Sequence, residues 1–200
     1  MPAAFEITWD YLCPFARNAH EHLVEALRAG ADWDVHFRFF SLAQAHVGDG
    51  GAPVWQDPLA HPGVLAGLAG IVVRDQQPER FLDAHMALFV ARHDHSLDLR
   101  DREVVSGALG SAGLDGTAVI DEALSGWPAA RAQAEHEELV ERWQVFGVPT
   151  FILRDRAVFV RVMTRPQGDA KLAEATIERV VDLVEGFPEL NEYKFTTIPR

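Results

Sequence analysis

Apolar and polar positions alternate from Ala4 to Trp9, where Phe5, Ile7 and Trp9 are separated by Glu6 and Thr8, the period-two pattern of a half-buried strand. The chain then turns through Asp10, Tyr11, Leu12 and Cys13. Pro14 presets the φ of a first helical residue, and Phe15, Ala19, Leu23 and Leu27 recur every four positions as a helical stripe that Gly30 ends. From Asp34 to Leu42 the strand pattern returns, with Val35, Phe37 and Phe39 on one face. A helix between two strands predicts a crossover connection and parallel pairing.

Beyond Ala43 the periodicity changes. Gly48 to Pro62 is glycine- and proline-rich and reads as loop. Helices are predicted over Pro78 to Arg92, Asp101 to Leu109, Leu114 to Leu124 and Pro128 to Phe146. Phe81, Leu82, His85, Leu88 and Phe89 form the stripe of the first; Leu139, Val140, Trp143 and Phe146 that of the last. Alternation resumes over Val148 to Leu153 and Ala157 to Met163, and the polar turn at Asp155 and Arg156 predicts an antiparallel hairpin. A final helix carries Ala173, Ile177, Val180 and Val184, with Gly186 and Pro188 as its stop; the tail from Glu189 to Arg200 has no usable periodicity. The order β-α-β, helices, β-β-α is that of an α/β, thioredoxin-like fold with an all-helical insertion between its halves. Residues 1–42 and 147–200 would form the thioredoxin-like domain and residues 43–146 the insertion.

Composition narrows the function. The chain has 200 residues, 48% hydrophobic and 24% charged, as expected of a globular protein. Thirty acidic against eighteen basic residues leave a net charge of −12, which argues against a nucleic-acid partner. The longest apolar run, Val64 to Val73, is about ten residues, interrupted by two glycines and too short to span a bilayer. No basic segment followed by an apolar stretch opens the chain, so no secretory signal is read. Cys13 is the single cysteine, which excludes an intrachain disulfide and a Cys-rich zinc site. Together these features predict a cytoplasmic protein with no membrane association.

Cys13 is the first candidate for chemistry. At a helix start, free backbone N–H groups and the positive dipole end favour a thiolate, so its pKa is expected below the free-thiol value of about 8.5. The alternative is a buried structural cysteine. The second candidate is Gly147-Val148-Pro149-Thr150, where Pro149 reads locally as the first residue of a strand with a trans bond. Trp9, Asp10 and Tyr11 either line a pocket for Cys13 or simply end the strand. His93-Asp94-His95 and the pair His20 and His22 read as solvated surface histidines, because i,i+2 residues do not share a helix face; no metal site is expected. Glu135, Glu137, Glu138 and Glu141 read as the wet face of their helix, and no glycine-rich phosphate loop is present.

Taken together, Cys13-Pro14-Phe15-Ala16 after a first strand and Val148-Pro149-Thr150 before a hairpin and last helix resemble the DsbA-like branch of the thioredoxin superfamily. That branch includes FrnE-type proteins, kappa-class glutathione transferases and hydroxychromene-carboxylate isomerases. The resemblance implies that Val148–Pro149 is cis and faces Cys13 as catalytic residue. It also implies that substrate binds at Pro14, Phe15, Val148, Pro149 and Thr150, with the backbone of Val148 pairing with a bound peptide or thiol. Family oxidoreductases carry C-x-x-C, and here the second position is Ala16. The implied activity is therefore thiol–disulfide exchange through one cysteine, with no tightly bound cofactor and a low-molecular-weight thiol as co-substrate. The substrate would be a small molecule or a disulfide, and the oligomeric state stays open. A thiol-dependent transferase or isomerase is the alternative, and a non-catalytic thioredoxin-fold binding module is another.

Overall fold

Strand β1 (Ala3–Trp9) buries Phe5, Ile7 and Trp9, as its alternation dictates, in a computed structural model that describes residues 3–48, 50–190 and 192. It pairs in parallel with β2 (Trp33–Phe39), Phe5 opposite Val35 and Trp9 opposite Phe39. The crossover is α1 (Pro14–Arg28), with proline at its start and Gly30 in the left-handed region (φ 101°) just past its end. After the helices, β3 (Thr150–Leu153) returns antiparallel to β1, and β4 (Arg156–Phe159) completes the order β2-β1-β3-β4. Helix α8 (Ala170–Gly186) follows, its first turn capped by the Asp169 carboxylate. The expected parallel pair and hairpin are both present.

Between β2 and β3 the chain forms α2 (Leu42–Ala45), a 3-10 turn at Val54–Gln56, and then α3 (Val64–Gln76), α4 (Pro78–His93), α5 (Arg102–Ser111), α6 (Gly116–Ala123) and α7 (Trp127–Trp143). Helix α3 was not anticipated. Residues Val64 to Val73 are buried in unbroken succession, so there is no polar face to set a period. Its glycines serve close approach: a Cβ at Gly67 would lie 2.3 Å from the Phe39 ring, and one at Gly70 would lie 2.6 Å from the Tyr11 hydroxyl. Other boundaries move inward. Helix α7 stops at Trp143 rather than Phe146, because Gln144 turns left-handed (φ 54°) and the Val145 N–H donates back to the Leu139 carbonyl. The hairpin turn is Arg154-Asp155, one residue earlier than expected, with Arg154 at φ 53°. Most of the tail (residues 191 and 193–200) lies outside the described residues.

Apolar side chains gather in two clusters. One packs Phe5, Ile7, Leu23 and Phe151 against Ile177 and Val181 of α8. The other joins Trp9, Tyr11, Phe39 and Cys13 to the helices from α3 to α7. Glu135 of α7 is a correction to the expected wet face, being 3% exposed. It accepts from the Phe39 N–H at 2.9 Å and from Arg74 of α3 at 2.8 and 3.0 Å, which ties α3 and α7 to the end of β2. One carboxylate satisfying a strand-end N–H and a guanidinium explains why a charge is tolerated there.

Candidate active site around Cys13

Cys13 caps α1 with extended backbone (φ −88°, ψ 118°), its Sγ accepting the Ala16 N–H at 3.4 Å. Its own N–H donates to the Asp10 carbonyl at 3.1 Å, closing the turn that leaves β1. The S–H donates to the Val148 carbonyl 3.1 Å away, although the two residues lie 135 apart in sequence. The Val148–Pro149 peptide is cis. The loop is pinned on both sides. Thr150 donates its N–H to Thr8 Oγ1 at 2.8 Å and its hydroxyl to the Gly147 carbonyl at 2.7 Å, while the Val160 N–H donates to the Pro149 carbonyl at 3.1 Å. Cys13, Val148 and Pro149 are thus brought together. Pro14 is exposed and Phe15 half-buried beside them, whereas Thr150 is buried with both its polar groups engaged inside the chain.

The acidity of Cys13 runs opposite to the expectation. Burial, with 7% of the residue exposed, pushes its thiol pKa up. The N–H groups of Ala16 and Phe15 and the charge of Arg161 pull it down, as a helix start should, but desolvation outweighs them and the Asp10 charge adds to the rise. The bond to the Val148 carbonyl acts the same way, since only the protonated sulfur can make it. Asp10 is itself buried. Its carboxylate oxygens accept the N–H groups of Leu12 at 2.8 Å and Leu42 at 2.7 Å, and burial raises its pKa to about 6.

Behind the turn lies a polar chain that sequence reading missed. Tyr11 Oη is 2.9 Å from His85 Nδ1, His85 Nε2 is 3.0 Å from His20 Nδ1, and His20 Nε2 is 3.1 Å from the Thr8 carbonyl. A carbonyl only accepts, so neutral rings fix the direction: Tyr11 donates to His85, His85 to His20, and His20 to Thr8. Burial lowers the His20 pKa to about 4 and holds that of His85 well below its ordinary value, keeping both neutral. The solvated reading of His20 and His22 is therefore corrected. Both are buried, and His22 donates to the Thr164 carbonyl at 3.1 Å. His93 donates to the Tyr11 carbonyl at 2.9 Å, Asp94 pairs with Arg17 at 2.6 Å, and only His95 of that triplet points freely to solvent. The position of His85 in an apolar stripe signalled its burial; its partners come from other elements and left no local trace. Among the described residues no group of three His, Cys, Asp or Glu side chains is placed to hold a metal, and no helix is long and apolar enough to cross a membrane.

A parallel β-α-β unit, an antiparallel hairpin and a cysteine facing a cis-proline loop define a thioredoxin-like protein of the α/β class. Residues 6–164 match the family model of the DSBA-like thioredoxin domain, and the chain belongs to that family. Solved structures agree on the fold. The cytosolic disulfide reductase DsbM from Pseudomonas aeruginosa, solved with GSH, has a TM-score of 0.60 at 17% identity, covering 90% of this chain and 100% of that one. A thioredoxin-like oxidoreductase from Silicibacter pomeroyi gives 0.57 at 18%, covering 90% and 86%. DsbA from Pseudomonas aeruginosa gives 0.56 at 21%, covering 90% and 84%. No curated protein matches the sequence.

Proposed function

We propose that this protein is a monothiol member of its family that exchanges disulfides through Cys13, with a low-molecular-weight thiol as co-substrate in a reducing, cytoplasmic compartment. The observation that carries the reading is the 3.1 Å approach of the Cys13 sulfur to the Val148 carbonyl at the cis peptide, with alanine where a resolving thiol would stand. The Cys13 thiolate attacks one sulfur of a disulfide R–S–S–R, forming Cys13–S–S–R and releasing RS⁻. A second thiolate then attacks the R sulfur and frees the Cys13 thiolate, so the chain ends in its starting state. The raised thiol pKa supports the reducing direction. A less stabilised thiolate is a poorer leaving group, so the mixed disulfide persists until a solution thiol reaches it. The DsbM relative, named a cytosolic disulfide reductase and solved with GSH, supports the same direction and the small-thiol partner.

The same protonated sulfur favours a second reading, in which Cys13 only orients a bound thiol in a transferase or isomerase reaction. Substitution separates the two. Turnover on a small disulfide should rise with added thiol and vanish in Cys13→Ser, whereas a positioning role survives serine. Ala16 is buried on the helix face that Cys13 caps, so Ala16→Cys should supply an internal thiol that releases the mixed disulfide once without added thiol, leaving an intrachain disulfide that the solution thiol must reduce before the next turnover. Release of the mixed disulfide from the wild type without added thiol would contradict the monothiol reading.

A further inference from the structure

The guanidinium of Arg161, just past β4, lies over two aromatic rings, 5.4 Å from the centroid of Phe15 and 5.5 Å from that of Phe159. Phe15 belongs to the Cys13-Pro14-Phe15 turn, and the Arg161 charge reaches the Cys13 sulfur. The side chain is exposed, and no carboxylate among the described residues pairs with it. Phe146, 73% exposed, lies 5.2 Å from Phe159 and extends the aromatic row along the cis-proline loop. In a molecule of net charge −12, this cation rests on two rings beside the Cys13 turn with no carboxylate partner among the described residues. Two ring contacts leave it little freedom to lose on binding, and its planar fork suits a carboxylate.

We propose that Arg161 recognises a carboxylate of the sulfur co-substrate, so that Cys13 reacts preferentially with acidic low-molecular-weight thiols and disulfides. The proposal rests on the monothiol reading and names the chemical class that reading leaves open. Were Arg161 only a stabiliser of the thiolate, it would speed reaction with every disulfide alike. A ratio of rates removes that effect, because the thiolate fraction cancels.

The test measures second-order formation of the mixed disulfide on the reduced full-length protein by intact mass. The reagents are dithiodipropionate (dianionic), 2-hydroxyethyl disulfide (neutral) and cystamine (dicationic). In each reaction the Cys13 thiolate forms one sulfur–sulfur bond as another breaks, and one thiolate leaves. Arg161→Gln should lower the dithiodipropionate-to-hydroxyethyl rate ratio about three- to tenfold, the range for one charge-assisted contact at an exposed site. Arg161→Glu should lower it further and raise the relative rate of cystamine. Equal slowing toward all three reagents, or no change in any, would overturn the proposal while leaving the monothiol reading standing. Failure of all three to modify wild-type Cys13 would overturn the reading itself, and this proposal with it.

Discussion

Two buried groups, three residues apart, set the chemistry of the β1–α1 turn. Asp10 titrates near pH 6, so at neutral pH its carboxylate is ionised and its charge opposes ionisation of Cys13. Alkylation of wild-type Cys13 followed against pH should therefore show a midpoint above the free-thiol value of about 8.5. In Asp10→Asn the charge is gone and the midpoint should fall; an unchanged or higher midpoint would contradict the assigned coupling. The substitution carries a cost of about 1–3 kcal/mol, because an amide nitrogen would face one of the N–H groups of Leu12 and Leu42 that a carboxylate oxygen now accepts. Neither Asp10's raised pKa nor the direction of the Cys13 shift was legible in the sequence. Helix-start position is a local property, whereas desolvation of Cys13 comes from residues such as Val148 that meet it only in the fold.

At the scale of elements, periodicity revealed every strand and most helices, because amphipathic segments announce which face they bury. Besides the single turn α2, helix α3 shows the limit: buried from Val64 to Val73, it has no polar face there, and glycines at 67 and 70 lower its helix propensity. Those glycines are needed by the packing. Replacing Gly67 with alanine adds about 1 kcal/mol of helix propensity but drives a methyl group into the Phe39 ring, which Trp9 and Trp55 flank at 5.6 and 6.3 Å. Overpacking of this kind costs about 1–3 kcal/mol, and the 2.3 Å approach puts it toward the upper end. Gly67→Ala should lower the urea midpoint of unfolding; a raised midpoint would mean that Phe39 can move aside. The buried ionic contact of Glu135 with Arg74 escaped sequence reading for a related reason, since its acidic neighbours at 137, 138 and 141 are exposed and only the fold singles out one carboxylate.

For the molecule as a whole, the buried histidines make stability depend on pH. His20 and His136 have pKa values lowered to about 4 and burial also holds His85 well below the ordinary imidazole value, while the unfolded chain takes up these protons near pH 6.5. As pH falls from 6.5 toward 4 the unfolded state gains protons that the folded state refuses, and stability declines, by about 3 kcal/mol for His20 alone. Asp10 works in the opposite sense over pH 4 to 6, since its raised pKa stabilises the protonated fold. Relief of the −12 charge also opposes the loss, but surface repulsion is screened and spread over the whole surface. Three buried imidazoles outweigh one carboxyl, so the urea midpoint should be lower at pH 4.5 than at pH 7; an equal or higher midpoint would contradict the neutral Tyr11–His85–His20 chain. At this scale the element order and the family resemblance carried by the two motifs were enough to anticipate the fold and the cis Val148–Pro149 peptide, whereas the histidine chain depends on contacts between β1, α1 and α4 that no local pattern records.

In the proposed mechanism Cys13 alone forms the covalent intermediate and only a solution thiol releases it. Intact mass during reaction of the reduced protein with one equivalent of 2-hydroxyethyl disulfide, without added thiol, tests this most directly. A single adduct that maps to Cys13, persists, and disappears when a small thiol is added is the expected result. Spontaneous loss of the adduct without added thiol, or disulfide reduction that continues in Cys13→Ser, would contradict the account.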